Sequence, residues 1–189
     1  AWIVLLLASN DVAVVDHGGT VPEVDGLVTT TPGLGLLALA ADCATVALVD
    51  QAKGIIGAVH SGWRGVAANA VGATVETMIA RGADVNTIVA AIGPVICPGC
   101  YEVSQEVRAE VTRTTPAAAA QTRWGTPSVD LHAGSLEPVK KAAVGHSLLS
   151  SGGIDPRDPQ AAHIALSVAT VPVLIYPGLH HGLVCGPEK

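Results

Sequence analysis

The stretch Gly54-Ile-Ile-Gly-Ala-Val-His-Ser-Gly-Trp-Arg-Gly65 joins two kinds of secondary structure within a short span. Its first half is a continuous apolar run, which is typical of a buried β-strand. Its second half is polar and rich in Gly, which indicates a turn. The following segment, 66–81, carries apolar side chains at helical spacing, and Gly82 comes next, where a helix is expected to end. The stretch therefore predicts a buried strand that leads through a tight turn into a helix.

The segments on either side alternate between strand-like and helix-like patterns. Ser104 is placed to cap a helix of about eight residues, and 133–143 is a second helix candidate that Pro138 is expected to start or interrupt. We interpret the low-complexity segment 117–120 as a connector. Several consecutive strands among helices indicate a mixed-sheet domain of the α/β or α+β class. The further strands are predicted at 12–16, 28–31, 36–39, 46–49, 87–92 and 128–131.

Composition and charge restrict the classes of function. The chain has 189 residues, of which 49% are hydrophobic, and this is enough for one domain with a proper core. Its net charge is −6 and its few basic residues are scattered, which disfavours nucleic acid and anionic membranes as partners. The sequence contains neither a signal-peptide pattern nor a membrane-spanning run. We therefore expect a cytoplasmic protein of one domain, residues 1–189, that acts as a monomer or small homo-oligomer.

Asp42-Cys43 ends one strand-like run and His60 ends another, and each run leads into a polar turn. If the two runs are neighbouring strands, Cys43 and His60 meet at one rim of a sheet, where a thiolate and an imidazole suit zinc or copper. Asp42 is then the nearest candidate for a general acid or base. The alternative is a structural Cys and a core His without a metal. One Cys and one His do not decide between these two interpretations.

Trp63 and Arg64 lie in the Gly-rich turn that precedes the predicted helix. Its backbone allows the close approach of a ligand, with Arg64 as a two-pronged partner for an anion and Trp63 as a surface for a ring. An ordinary turn with a packed Trp is the alternative, and the pattern favours neither. Cys97 and Cys100 have the spacing of a redox motif, but the surrounding Pro and Gly favour a turn whose two thiols are not bonded to each other.

Three motifs occur in a fixed order, namely Leu39-Ala-Ala-Asp-Cys43, Ala58-Val-His-Ser-Gly-Trp-Arg-Gly65 and Ile92-Gly-Pro-Val-Ile-Cys-Pro-Gly-Cys-Tyr-Glu-Val103. Together with 24–30 and 124–131, they closely resemble the laccase-domain family. Its members are also called multicopper polyphenol oxidoreductase-like proteins or purine nucleoside phosphorylases. The resemblance implies an α+β fold, a single domain of mixed β-sheets with flanking helices.

The resemblance also implies a zinc site made by one Cys and two His. Cys43 and His60 match two of these three ligands. The third is an upstream His, but Ala8 occupies the position where it is expected. The basic elements that close the family pattern are also missing, since no Lys or Arg lies between 157 and 189. The identity of a third ligand is thus left open.

The activity implied by the resemblance is that of a zinc-dependent purine nucleoside phosphorylase acting on purine nucleosides and phosphate. Adenosine deamination and methylthioadenosine phosphorolysis are related activities of the family. Asp42 and Arg64 are the predicted catalytic residues, and Trp63 and Arg64 are predicted to bind substrate. A copper-dependent polyphenol oxidase (laccase) is the second hypothesis, which the small number of His weakens. A non-catalytic binding protein with a degraded metal site is the third, and Ala8 favours it.

Overall fold

The computed structural model describes residues 10–18 and 23–142 in full, together with the backbone of strand segments at 2–4, 149–150, 164–168 and 171–177. The helices in this part of the chain are α1 (Trp63–Ala68), α2 (Ala70–Ala80), α3 (Gln105–Thr114) and α4 (Leu131–Lys141), with 3₁₀ turns at Pro98–Cys100 and Pro116–Ala118. The strands are β1 (Trp2–Val4), β2 (Val12–Val14), β3 (Gly26–Thr29), β4 (Leu36–Ala40), β5 (Ala44–Asp50), β6 (Ile55–Ser61), β7 (Val89–Ile92), β8 (Ala119–Gln121), β9 (Pro127–Val129), β10 (Leu149–Ser150), β11 (Ile164–Val168) and β12 (Val171–Pro177).

Two mixed sheets form the framework. The larger sheet has the strand order β10-β7-β5-β6-β3-β2; its three central pairs are antiparallel and its two outer pairs are parallel. The second sheet has the order β1-β4-β12-β11, in which β11–β12 is antiparallel and the other pairs are parallel. Strands β8 and β9 form a separate antiparallel pair. Mixed sheets with flanking helices confirm the predicted α+β class.

The larger sheet is covered on both faces, so β5 and β6 are buried along their whole length. On one face, alternate residues such as Val46 and Val59 pack with apolar residues of the helices. On the other face, the residues between them, such as Ala47, Ile56 and Ala58, pack with β4 of the second sheet. This alternation follows from the side-chain period of two along a strand. It explains why both strands are continuous apolar runs in the sequence.

The single helix predicted over 66–81 is two helices in the structure. α1 begins earlier, at Trp63, and α2 follows after Asn69, whose backbone is left-handed with φ 60° and ψ 42°. Asn adopts this conformation more readily than most residues with a side chain. A Cβ on Gly72 would collide with the Asn69 side chain, which would then have to move. Trp63 and Arg64, predicted to lie in the turn, are therefore in the first turn of α1.

Two predictions on the C-terminal side are wrong, and one is confirmed. Segment 117–120 is not a plain connector, because its last residues begin β8, which pairs with β9. Pro138 lies inside α4 and does not interrupt it. Asp130 caps this helix by accepting a hydrogen bond from the backbone of Ala133 at 2.9 Å, and buried side chains hold the helix against the core. The predicted cap of α3 by Ser104 is confirmed.

The helices in the described part of the chain are short, and the longest of them, α2 and α4, have 11 residues each. None of these helices is long and apolar enough to cross a membrane. Ala8, the position at which an upstream metal ligand was expected, lies outside the described residues.

Candidate functional site

Cys43 and His60 lie together at one rim of the larger sheet. Strands β5 and β6 are antiparallel with Ala44 opposite Ser61, so the residue before β5 and the end of β6 share this rim. A Cβ placed on Gly62 would lie 2.9 Å from Sγ of Cys43 and 3.4 Å from Cε1 of His60, so the two side chains border one point. The structure therefore brings these two predicted residues together, while their role as metal ligands stays a prediction.

The route by which they meet differs from the one expected from the sequence. The strand-like run that ends before Asp42 is β4, which belongs to the second sheet. The chain bends at 41–43 and enters the larger sheet, where β5 begins. Cys43 thus lies at the start of one strand and His60 near the end of the next, and the antiparallel pairing of the two strands places them side by side.

A buried carboxylate that the sequence analysis did not single out holds the His60 ring. Nδ1 of His60 lies 3.0 Å from Oδ1 of Asp25, whose residue is 0% exposed. The backbone N–H of His60 also donates to the carbonyl oxygen of Asp25 at 2.9 Å. Asp25 directly precedes β3, which is the antiparallel neighbour of β6. The signal that could have identified it is an acidic residue at the start of a buried strand.

The surroundings of His60 act on its pKa in opposite directions. Burial, the strongest influence, lowers the pKa because it disfavours the charged ring. The hydrogen bond to Asp25 and the nearby Cys43 raise the pKa, and the outcome is a value of about 9. Protons and a metal ion would therefore compete for this ring, since a metal binds its neutral form.

The second ring nitrogen of His60 fits a metal ligand. Nε2 is buried and has no hydrogen-bond partner among the described residues. With Nδ1 bound to a carboxylate, the neutral ring presents the Nε2 lone pair, which is the usual arrangement of a metal-binding His. The thiol of Cys43 beside it is also a ligand suited to zinc or copper. The described residues contain no group of three or more His, Cys, Asp or Glu side chains that could hold a metal. This part of the chain thus offers two donors and one orienting carboxylate.

Asp42, Trp63 and Arg64 lie beside this rim. Asp42 is exposed, and its carbonyl oxygen accepts a hydrogen bond from the backbone of Ile96 at 3.0 Å. The exposed Arg64 places its guanidinium carbon 4.3 Å from the centroid of the Trp63 ring, in a cation–π contact. Trp63 also packs against the helix-side core, so its ring already has partners within the protein. Arg64 is exposed and Trp63 is half-buried, and their roles in binding a ligand stay predictions.

Tyr101 is a second residue near this rim that the sequence analysis did not single out. Its pKa is raised, first by burial and then by the electrostatic influence of Cys43 and Asp42, whereas Arg64 lowers it. Tyr101 follows the 3₁₀ turn at 98–100 and packs against the helix-side core. Its phenol therefore lies within electrostatic range of three of the predicted site residues.

The described part of the chain has two further features of interest, the cysteine Cys97 and a pair of surface depressions. Cys97 is not part of a disulfide bond, which confirms the prediction that Cys97 and Cys100 are not bonded to each other. Two open surface depressions have volumes of about 560 Å³ and about 450 Å³, and they are lined by residues such as Arg108 and Glu76, respectively. Neither depression is bordered by the residues of the rim.

An α+β framework of two mixed sheets, with a thiol and an imidazole at one rim, defines the class of this protein. Residues 5–157 match the family described as multi-copper polyphenol oxidoreductase laccase, and the chain belongs to this family. The resemblance inferred from the three motifs is thereby confirmed.

Relatives with assigned names agree with this placement. A purine nucleoside phosphorylase of Streptomyces coelicolor is 49% identical over 137 residues, which are 71% of this chain and 57% of the relative. An adenosine deaminase from an unknown prokaryotic organism is 45% identical over 84 residues, which are 44% of this chain and 32% of the relative. The crystal structure of YlmD from Geobacillus stearothermophilus superposes with a TM-score of 0.72 at 30% identity, over 80% of this chain and 63% of that one. The chain spans about half the length of the curated relatives it matches.

Proposed function

We propose that this chain belongs to a zinc-dependent purine nucleoside phosphorylase, with Cys43 and His60 as zinc ligands. The observation that carries the proposal is the buried Nε2 of His60, which has no partner among the described residues and lies beside Cys43. Relatives named purine nucleoside phosphorylase support the substrate class, which is a purine nucleoside with phosphate. Zinc, when bound, supplies a Lewis acid that polarises an oxygen of the substrate or of water.

Asp25 orients the proposed ligand. Its carboxylate accepts a hydrogen bond from Nδ1–H of His60, which fixes the tautomer whose Nε2 lone pair is available. Because Asp25 is fully buried, its position is set by the start of β3 and by the backbone hydrogen bond from His60. The His60 ring is therefore ordered before zinc binds, so less conformational entropy is lost when the metal ion is bound.

Arg64 is proposed to bind the phosphate. Its guanidinium can meet two phosphate oxygens at once, which a Lys cannot do. The stacking on Trp63 fixes the plane of the guanidinium without using its N–H groups. In phosphorolysis a phosphate oxygen forms a bond to C1′ of the ribose, and the purine leaves with the electrons of the broken C–N bond and takes up a proton. Positive charge builds on the ribose in this step, and a phosphate held nearby stabilises it.

Asp42 is the proposed group for proton transfer, since its exposed carboxylate directly precedes Cys43. Adenosine deamination is the second candidate activity, favoured by the relative that is named adenosine deaminase. Copper-dependent oxidation of phenols remains the alternative that the family description suggests. It requires several metal ions, whereas the described residues contain no group of three or more potential donors.

The test is an assay of the zinc-loaded protein with inosine and adenosine, with and without phosphate. We expect release of the free purine base only when phosphate is present, and no oxidation of phenols. Base release without phosphate, or no turnover of either nucleoside, would contradict the proposal. Conversion of adenosine to inosine alone would favour the deaminase.

Substitution Arg64→Lys tests the role of that residue. We expect phosphorolysis at subsaturating phosphate to fall by about tenfold, because a charge-assisted contact is lost, while the melting temperature barely changes. Arg81→Lys is the matched control, since Arg81 is exposed at the end of α2, away from the rim. Equal turnover in the two variants would show that Arg64 does not bind the phosphate.

A further inference from the structure

Thr45 carries a polar atom that nothing in the described part of the chain satisfies. Thr45 is 2% exposed, and its Oγ1 is buried without a hydrogen-bond partner among the described residues. It is the second residue of β5, whose other members up to Val49 are all apolar. A buried hydroxyl without a partner costs free energy, and such groups are rare in native proteins unless water, an ion or a ligand completes them.

The position of Thr45 in the sheet connects it to the rim. Thr45 is directly opposite His60 in the antiparallel register of β5 and β6. Directly opposed residues point to the same face of a sheet, with Cβ atoms about 4.5–5.5 Å apart. Three buried side-chain atoms in the described part of the chain lack hydrogen-bond partners, and two of them are Thr45 Oγ1 and His60 Nε2. The third belongs to Glu137, a carboxylate whose other oxygen binds Lys141.

A comparison with another buried threonine shows what a structural role looks like. Thr74 in α2 is 0% exposed, and its hydroxyl donates to the carbonyl oxygen of Ala70 at 2.9 Å. Thr45 has no equivalent bond among the described residues. In a strand that only packed against its neighbours, Val would have the same shape without the cost of the hydroxyl.

We propose that the Thr45 hydroxyl hydrogen-bonds to an oxygen atom of the ligand that enters the rim beside His60 and Cys43, and that this ligand is inorganic phosphate. This inference rests on the proposed function, because it uses the same site and one of its two substrates. Thr45 then acts as a substrate-positioning residue on β5, opposite the ring that Asp25 orients. A hydroxyl suits this position because it can donate to an anionic oxygen without adding charge to the buried rim.

The experiment compares the whole chain with Thr45→Val, which removes the hydroxyl and keeps the shape, and Thr45→Ser, which keeps the hydroxyl. Calorimetry measures the binding of zinc, and then of inorganic phosphate to the zinc-loaded proteins. We expect Thr45→Val to bind zinc within about twofold of the unchanged chain but phosphate about tenfold more weakly, as for a lost hydrogen bond to a charged group. Thr45→Ser should restore phosphate binding to near its original strength.

A second measurement needs no activity and no ligand. Thr45→Val should raise the melting temperature of the metal-free protein by about 2–4 °C, because it removes a buried hydroxyl that lacks a partner. A lower melting temperature would mean that the hydroxyl is already bonded within the protein, and this would overturn the inference. Phosphate affinity that is the same in all three proteins would overturn it as well.

The hydrogen-bond partner of the Thr45 hydroxyl could be an oxygen of phosphate or a water molecule. The visible spectrum of the cobalt-substituted proteins, recorded in phosphate-free buffer, distinguishes the two. A changed spectrum in Thr45→Val with unchanged phosphate affinity would overturn phosphate as the partner and assign water instead. Equal spectra with weaker phosphate binding support the inference as stated. If the unchanged chain binds phosphate through Thr45 but does not cleave nucleosides, the proposed function fails while the inference about Thr45 stands.

Discussion

The two ends of the paired strands β5 and β6 both carry buried polar side chains, but these side chains differ in what they bind. At one end, the carboxylate of Asp50 is 0% exposed and accepts hydrogen bonds from the backbone of Lys53 at 3.1 Å and of Asp84 at 2.8 Å. At the other end, His60 uses one ring nitrogen on Asp25, while its second nitrogen and the hydroxyl of Thr45 have no partner among the described residues.

From this difference we infer that the Asp50 end serves folding, and we propose that the His60 end serves ligand binding. Both oxygens of Asp50 are used by backbone groups, so this carboxylate ties the turn after β5 to the loop after α2. Unsatisfied buried atoms cost free energy, and such atoms are rare in native proteins unless water, an ion or a ligand completes them. Substitutions at the Asp50 end should therefore change stability, and substitutions at the His60 end should change ligand binding.

The largest expected effect is at the Asp50 end. Asp50→Ala leaves two backbone N–H groups without their acceptor, and we expect a loss of about 3 kcal/mol in the free energy of unfolding. For a chain of this size, that loss lowers the melting temperature by about 6–12 °C. Urea titration at pH 7 measures the change. Zinc affinity of the folded variant should match that of the unchanged chain, and a weaker zinc site in this variant would break the proposed division between the two ends.

Several helices and strands could be predicted from the sequence because the signals for them are local. The apolar runs that became β5 and β6, the helical spacing within α2 and the cap at Ser104 all depend on residues close in the chain. The proximity of Cys43 and His60 was predicted from the wrong pair of strands, since the run before Asp42 is β4 of the second sheet and the two residues meet through the pairing of β5 with β6.

What could not be predicted depends on sheet order and on single backbone conformations. Asp25 binds His60 because β3 is the neighbour of β6, and no local pattern encodes that pairing. Asn69 breaks the predicted helix through one left-handed residue, which apolar periodicity does not detect. Pro138 is retained inside α4 because the helix is fixed by buried tertiary contacts, which outweigh the local preference.

The second-largest effect is expected for Asp25, the carboxylate at the His60 end. Asp25→Asn removes the charge that orients the His60 ring, and we expect zinc affinity to fall by about 10–100-fold, the usual range for a residue that supports a metal ligand. Competition with a zinc-binding dye measures the affinity. Asp50→Asn, an equally buried carboxylate, is the matched control and should leave zinc affinity unchanged. Equal zinc affinity in the two variants would mean that Asp25 has a purely structural role.

A third, smaller effect tests the point at which Cys43 and His60 meet. The Cβ of Gly62→Ala would lie 2.9 Å from Sγ of Cys43, so the thiol has to move. We expect a loss of about tenfold in zinc affinity, at the lower end of the range for changes around a metal ligand. The backbone of Gly62 has φ −79°, which Ala tolerates, so the melting temperature should change little.

Gly65→Ala is the matched control for this substitution. Its Cβ would lie 3.4 Å from the carbonyl oxygen of His60 and 3.6 Å from Cβ of Ala70, and Cys43 is not among its nearest neighbours. Zinc affinity should therefore be retained in Gly65→Ala. If both glycine variants lose the same affinity, the cause lies in helix α1 as a whole rather than in the displaced thiol.

The smallest effect comes from an ion pair on α4, in which the lysine is exposed and the glutamate is half-buried. Nζ of Lys141 lies 2.6 Å from Oε1 of Glu137 one turn earlier in α4, and the Lys141 side chain is 66% exposed. We expect Lys141→Ala to cost about 0.3–0.5 kcal/mol at pH 7, because solvent and salt screen such pairs. Lys140→Ala, its neighbour on the same turn, is the control and should cost less.

The pH dependence of this small effect has a definite sign. The hydrogen bond from Lys141 is the strongest influence on the pKa of Glu137 and lowers it, while burial opposes the shift. Because the pKa is lower in the folded chain, the stabilisation is complete above the unfolded value of about 4.3 and is lost as the pH falls through the folded value. Urea titrations of both proteins from pH 7 to pH 3 should therefore show the difference between them shrinking only below about pH 4.3. A difference that persists unchanged at pH 3 would assign the cost to the lost packing of the lysine stem, which does not depend on the charge of Glu137.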